Sequence, residues 1–163
     1  MLGHLVLAER SDGSRKRADS LIDGDLDALS WLRRLKGRTL YLTGGAWRTI
    51  ARILLEQTNH PLHIIDGYEV DADKVSQTAS VLSGLSDKTL LKIESLAPRR
   101  AGTLPFAALV LRALIEKGRP DNVVFSGFGV REGVLLSAFP GFPTKKPDLL
   151  IEGAAAIGKR SQQ

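Results

Sequence analysis

The feature that most restricts the fold of this chain is a pattern that occurs twice: a short apolar strand that ends in glycine and leads into a helix. The first copy is the predicted strand Arg38–Thr43, followed by Gly44 and Gly45, and the second is the predicted strand Asn122–Ser126, followed by Gly127. The second strand is apolar almost throughout, which is typical of a central strand in a parallel sheet. Strands that alternate with helices predict an α/β or α+β architecture.

The apolar periodicity of the rest of the chain predicts mainly helices. Thr103–Lys117 is apolar nearly all round, so we expect it to be a buried helix. The polar segment Ser11–Ser20 is expected to be a loop or a disordered arm, and Trp31 and Trp47 are expected to anchor the core. The other predicted elements are a strand at Pro61–Tyr68 and helices at Leu26–Leu35, Trp47–Gln57, Ala72–Leu82, Ser86–Ile93 and Arg131–Ala138.

The composition limits the chemistry that is open to the chain. Its 163 residues include no cysteine, which excludes disulfides, thiolate catalysis and cysteine-ligated zinc and fits a reducing cytoplasm. The three histidines, His4, His60 and His63, are too scattered for a metal cluster. No apolar run approaches the ~20 residues of a membrane span, and the N-terminal charge follows the apolar stretch, the reverse of a secretory signal. We therefore expect a cytoplasmic protein without a membrane partner.

The net charge of +5 favours a polyanionic partner, because a basic groove concentrates phosphate ligands. The basic residues form local clusters, and each cluster taken alone is more simply a solvated surface. Composition leaves nucleic acid, nucleotide and polyphosphate open as partners. Nucleic acid ranks last, because the basic arm at Arg15–Arg17 has no interleaved aromatic residues and belongs to no known nucleic-acid module.

The two glycine turns predict an anion site. Glycine lets the backbone approach an anion closely, and the helix that follows each turn presents free N–H groups and the positive end of its dipole. Arg48 and Arg131 fall in the first turns of these two helices, within reach of a bound phosphate. Neither turn fits the Walker A or the G-x-G-x-x-G pattern. A tight turn or a surface arginine would explain each feature singly.

Four segments of the chain resemble the exopolyphosphatase/guanosine pentaphosphate phosphohydrolase (Ppx/GppA) family, in the family's order and at suitable spacing. The resemblance extends over roughly residues 37–151. The segments are YLTGGAWRTIAR at Tyr41–Arg52, HPLHIIDGYEV at His60–Val70, RRAGTLPFAALVL at Arg99–Leu111 and VVFSGFGVREGVLLS at Val123–Ser137.

The resemblance implies a partial actin-like (ribonuclease-H-like) domain of the α/β class, with a short central sheet flanked by helices. Family members release terminal phosphate from polyphosphate or guanosine pentaphosphate, usually with a divalent cation, so Mg²⁺ is the implied cofactor. By the same resemblance, Arg100 and Arg131 match family arginines near the ordered core and the cleft edge of the lobe, with no exact role assigned. The implied phosphate-binding residues are Gly44, Gly45, Arg48, Gly127 and Arg131.

The sequence departs from the family pattern in three ways. Ala46 stands where the family commonly has Thr, and Asp66 stands where it commonly has His, an anion that would repel substrate if it faced the cleft. The family's first lobe, with its catalytic glutamate, has no counterpart in the chain. We therefore expect no catalytic residue and no metal ligand here, and weak phosphate binding without turnover, since phosphoryl transfer needs groups on both sides of the phosphate.

These departures set the expected organisation and the alternatives. We expect an unassigned arm at residues 1–24, the Ppx/GppA-type domain at 25–152 and a flexible tail at 153–163. The chain is then a phosphatase fragment, with a missing-lobe polypeptide or a second copy as its partner. The alternatives are a non-catalytic module that binds phosphate or nucleotide, and an inactive relic.

Overall fold

The computed structural model describes residues 4–138 of the chain. The chain divides into two compact units, Met1–Gly129 and Val130–Gln163. The strands are β1 (Thr39–Thr43), β2 (Tyr68–Asp71) and β3 (Asn122–Ser126). The helices are α1 (His4–Arg10), α2 (Arg15–Asp27), α3 (Gly45–Gln57), α4 (Ala72–Gly84), α5 (Asp87–Leu90), α6 (Leu104–Gly118) and α7 (Val130–Ser137), with 3₁₀ turns at Ser30–Leu35 and Pro98–Arg100. Helix α7 belongs to the second unit, and the other elements belong to the first.

The three strands form one mixed sheet in the order β1-β3-β2. Strand β3 is central, pairing parallel with β1 and antiparallel with β2. The register sets Thr43 opposite Ser126 at one end of the β1–β3 pair and Thr39 opposite Asn122 at the other. The predicted central position of β3 is confirmed. Its parallel pairing with β1 sets the two glycine turns at one edge of the sheet, while β2 adds an antiparallel edge strand.

One face of the sheet forms part of the core. Val123 and Phe125 of β3 are fully buried, and Leu42 and Val70 lie on the same face in the neighbouring strands. Because side chains alternate along a strand, Tyr41 lies on the opposite face, where it is 69% exposed. The β-branched and aromatic residues of β3 therefore bury one face of the sheet against helices α3, α4 and α6.

Helix α6 is the centre of the first unit, as its apolar composition predicts. It packs against the sheet and α4 through one set of residues, including Leu111, and against α1 and α2 through another, including Phe106. Its polar positions reach α2: Arg112 donates to Asp19 at 2.7 Å, and Lys117 Nζ donates to Asp27 at 2.6 Å. The Asp27 hydrogen bond raises the pKa of Lys117 above its usual value.

The N-terminal part of the chain differs from the prediction. The segment expected to be a loop at Ser11–Ser20 instead contains the start of α2, and Ser14 caps this helix by accepting from the Arg17 N–H. The helix predicted at Leu26–Leu35 is interrupted, because α2 ends at Asp27 and a 3₁₀ turn follows. Leu32 and Leu35, the last two apolar residues of the pattern, lie in this 3₁₀ segment, whose three residues per turn match their spacing.

The second predicted strand is also misplaced. The strand expected at Pro61–Tyr68 is found at Tyr68–Asp71, where it pairs with β3. Leu62, His63 and Ile64 are exposed and lie outside the sheet, so the expected strand position of His63 is wrong. The core position expected of Trp31 is wrong as well, since Trp31 is 52% exposed, whereas Trp47 packs against the core.

The remaining helix predictions are confirmed to within a few residues. Asp71 caps α4 by accepting from the N–H groups of Asp73 and Lys74, and Ser86 caps the short helix α5. No helix within residues 4–138 has the length and apolar character that crossing a bilayer requires. The division of the chain at residues 24 and 152 stays a prediction, and the expected tail at 153–163 lies outside the described residues.

Truncation of the α6 core position tests this packing. Leu111→Ala is expected to lower the free energy of unfolding by about 2–5 kcal/mol, because Leu111 is fully buried between the sheet and α4. Val81→Ala, on the exposed side of α4, is expected to change it by less than about 0.5 kcal/mol. Urea denaturation measures both, and equal losses in the two variants would contradict the placement of the core.

Candidate functional site

The turn between β1 and α3 is built on Gly44. Its φ of 127° and ψ of 165° lie in a region that only glycine occupies without strain. Helix α3 begins at the next residue, and the Gly44 carbonyl accepts its first hydrogen bond, from the Arg48 N–H at 3.1 Å. The early N–H groups of α3 are therefore presented at the end of β1, together with the positive end of the helix dipole.

The turn after β3 lies beside the β1–α3 turn. Thr43 and Ser126 are direct partners in parallel strands, so the residues that follow them leave the same edge of the sheet. A side chain joins the two turns, because Arg48 Nη1 donates to the Gly127 carbonyl at 3.0 Å. The structure thus brings together Gly44, Gly45, Arg48 and Gly127, and we call these four residues the glycine edge.

Arg100 lies directly on the glycine edge, although the sequence assigned it no exact role. It ends the 3₁₀ turn Pro98–Arg100, and its guanidinium packs against Gly45. A Cβ at residue 45 would approach Arg100 Nη2 to 2.5 Å, so glycine is the residue that leaves room for the guanidinium. Two arginine side chains, Arg48 and Arg100, therefore lie at this edge, both partly buried.

Asp66 also reaches the glycine edge and occupies a donor there. Its Oδ1 accepts from the Gly127 N–H at 2.8 Å and from the Ser126 hydroxyl at 3.0 Å. The Ser126 Oγ in turn accepts from the Phe128 N–H at 3.1 Å. The negative charge of Asp66, which replaces the family's usual His, therefore lies at the turn after β3.

Two further residues were singled out from the sequence, Arg131 and Ala46. Arg131 is exposed in the first turn of α7, in the second compact unit, and its place at the site stays a prediction. Ala46 is 8% exposed in the first turn of α3. Thr49, three residues further along α3, donates its hydroxyl to the Gly45 carbonyl at 3.0 Å.

The described residues do not provide a ligand set for the implied Mg²⁺. Within residues 4–138, no three His, Asp or Glu side chains group closely enough to hold a metal ion. A cavity of about 700 Å³ lies instead near the opposite ends of β1 and β3, where Lys36 and Arg119 form part of its lining. It is lined by residues that precede the strands, so it is separate from the glycine edge.

Comparison with known proteins decides the family. A sequence model of the Ppx/GppA phosphatase family matches residues 14–142. The chain belongs to the Ppx/GppA phosphatase family. None of the curated proteins matches the sequence. The family match begins within the segment that the sequence left unassigned, which agrees with the ordered helix α2 found there.

Solved Ppx/GppA structures show the fold. The Aquifex aeolicus Ppx/GppA family member is 19% identical, with a TM-score of 0.63 over 83% of this chain and 45% of its own. Its type II variant gives 0.64 at 19% identity over 85% and 48%. An exopolyphosphatase-like protein gives 0.68 at 16% identity over 83% and 46%. The chain therefore has part of an actin-like, ribonuclease-H-like fold and spans less than half the length of these relatives.

Substitution at the first glycine turn tests its backbone conformation. Gly44→Ala is expected to destabilise the protein by about 1–3 kcal/mol, since its φ of 127° disfavours any side chain. Gly24→Ala is the matched control, because Gly24 lies within α2 with open space at its Cβ position, and alanine there is expected to stabilise by about 0.5–1 kcal/mol. Thermal unfolding measures both, and a neutral Gly44→Ala would contradict the turn geometry.

Proposed function

We propose that the chain is a phosphate-binding portion of a Ppx/GppA-type phosphatase and that the glycine edge holds the terminal phosphates of polyphosphate or a guanosine nucleotide. The observation that carries the proposal is the parallel register of Thr43 with Ser126, which sets the two glycine turns side by side. One anion can then accept hydrogen bonds from the start of α3 and from the turn after β3.

The charges around the edge support an anionic ligand. Arg48 already spans the two turns through its bond to the Gly127 carbonyl, and Arg100 covers Gly45. Guanidinium groups bind phosphate oxygens through paired N–H donors, so small rotations of these side chains would turn them toward a ligand. Arg131 is proposed as a further contact, on the strength of its place in the first turn of α7.

We propose that the chain by itself binds phosphate-containing ligands without hydrolysing them. Phosphoryl transfer requires in-line positioning and charge neutralisation on both sides of the phosphate. The chain spans 45%, 48% and 46% of three solved relatives, so groups on the far side of the ligand would come from the remainder. The activity of the whole family thus applies to this chain only in combination with that remainder.

An assay of phosphate release checks this separation of binding from turnover. The purified chain is expected to release no phosphate from polyphosphate above a protein-free blank in the presence of Mg²⁺, while a complete Ppx/GppA enzyme measured in parallel does so. Rapid release by the chain alone, lost in Gly44→Ala, would show that it carries a complete active site and would overturn the proposal.

Arginine substitutions on α3 test the binding site itself. Arg48→Ala is expected to weaken binding of linear tripolyphosphate roughly tenfold or more, because a hydrogen bond to a charged group contributes about 1.5–3 kcal/mol. Arg52→Ala removes the same charge from the exposed surface one turn further along α3, so it is expected to change affinity by less than about twofold. Titration followed by NMR of the glycine amides measures both.

The result that contradicts the site is equally specific. If Arg48→Ala and Arg52→Ala weaken binding to the same extent, the anion responds to overall charge rather than to the glycine edge. If the ligand shifts the amides of residues around Lys36 and Arg119 instead, it binds in the cavity at the opposite end of the strands.

The alternative function is a non-catalytic module that senses phosphate-rich ligands, and the same glycine edge supports it. The two functions differ in what completes the protein. A catalytic role needs a polypeptide that supplies the other lobe, or a second copy of the chain. Strand β1 lies at an edge of the described sheet, where an additional strand could pair with it. We place either function in the cytoplasm, where a chain without cysteine needs no disulfides.

The structure gives less support to nucleic acid as the partner. Two of the three basic residues at Arg15–Arg17 make intramolecular contacts: Arg15 donates to the Ser83 carbonyl and pairs with Asp87, and Arg17 pairs with Asp12. Through these contacts, Arg15 and Arg17 hold α2 and the turn before it in place. We therefore keep polyphosphate or a guanosine nucleotide as the proposed ligand.

A further inference from the structure

Asp66 occupies the donors that an external anion would need at the turn after β3. Its Oδ1 lies 2.8 Å from the Gly127 nitrogen and 3.0 Å from the Ser126 hydroxyl oxygen. Its Cβ is also close to the turn, at 3.1 Å from the position that a Cβ on Gly127 would take. The carboxylate is therefore held against the glycine turn by two hydrogen bonds and by direct packing.

A backbone amide next to a glycine turn and a serine hydroxyl are donors of the kind that bind phosphate oxygens. Here one carboxylate oxygen accepts from both, so the turn already acts as a receptor for an oxyanion, and that oxyanion belongs to the protein. Ser126 is oriented for this role, because its oxygen also accepts from the Phe128 N–H and its own proton is then free to point toward Asp66.

The carboxylate is not the only link that holds this part of the chain in place. The Gly67 N–H donates to the Phe125 carbonyl at 3.0 Å, and Tyr68 then pairs opposite Phe125 in the sheet. Tyr68 and Phe125 also stack, with ring centroids 6.1 Å apart. The residues after Asp66 are thus tied to β3 by the backbone and by ring packing, independently of the charge on Asp66.

We propose that Asp66 is a specificity-determining residue that acts as a built-in anion: it fills one phosphate-oxygen position at the glycine edge and repels a second negative charge. This inference rests on the proposed function, because it concerns the same phosphate site. It predicts that the wild-type chain binds phosphate ligands weakly and that a ligand must displace the carboxylate from Gly127. Removal of the charge opens the position to an external phosphate.

The test compares two substitutions that remove the same charge. Asp66→Asn keeps the size of the side chain and an acceptor oxygen, and Asp66→Ala removes the acceptor as well. Glu69→Gln is the matched control, since Glu69 is exposed on β2 three residues further along the chain. Linear tripolyphosphate is the probe, calorimetry and NMR titration measure its Kd, and thermal unfolding confirms that each variant is folded.

We expect both Asp66 variants to bind tripolyphosphate about tenfold or more tightly than the wild type, because like charges placed side by side strongly oppose binding. Glu69→Gln is expected to bind within about twofold of the wild type, because its charge is exposed and screened. In the Asp66 variants the Gly127 amide resonance is expected to move on addition of the ligand, which locates the gain in affinity at this turn.

The failures of the two proposals are distinguishable. If the wild type binds tripolyphosphate at the glycine edge and the Asp66 variants bind no more tightly, Asp66 is only a structural link and this inference is wrong, while the proposed function stands. If Glu69→Gln gains as much as Asp66→Asn, the effect is one of net charge, and the inference is again wrong. If neither the wild type nor any variant binds the probe, both proposals are wrong.

Discussion

The parallel pairing of β1 with β3 is the interaction on which the rest of the structure depends. Its register sets Thr43 beside Ser126, and from that alignment follow the adjacent glycine turns and the contact between Arg48 and Gly127. A shift of one residue would turn the buried side chains of β3 to the other face of the sheet. Burial of Phe125 and its neighbours against α6 and α4 therefore fixes the position of the turns as well as the core.

The sequence predicts the central part of the fold well, because there the local and tertiary preferences agree. Strand β3, helix α6 and the turn at Gly44 are buried or conformationally restricted, and each has a strong local pattern. The sequence predicts β2 at the wrong residues, because β2 is a short antiparallel edge strand in which Val70 is the one buried residue. The more apolar stretch just before it is exposed, so hydrophobicity alone favoured the wrong residues.

The candidate site is likewise only partly predictable from the sequence. The sequence predicts the glycine residues and Arg48 at one sheet edge, since parallel strands that end in glycine turns bring these residues together. The contacts of Asp66 with Gly127 and of Arg100 with Gly45 depend on side chains that meet across 61 and 55 residues of chain, and only the folded arrangement reveals them. Through these two contacts, the Asp66 carboxylate and the Arg100 guanidinium fill part of the glycine edge.

The most direct measurement of the central claim is the position of a single bound anion between the two turns. Crystals of the Asp66→Asn chain soaked in tungstate, a phosphate analogue whose metal scatters anomalously, would show it. The predicted result is one anomalous peak within hydrogen-bonding distance of amides from both turns, at the start of α3 and at Gly127. A peak bound by one turn alone, or a peak only in the cavity near Lys36 and Arg119, would contradict a shared anion site.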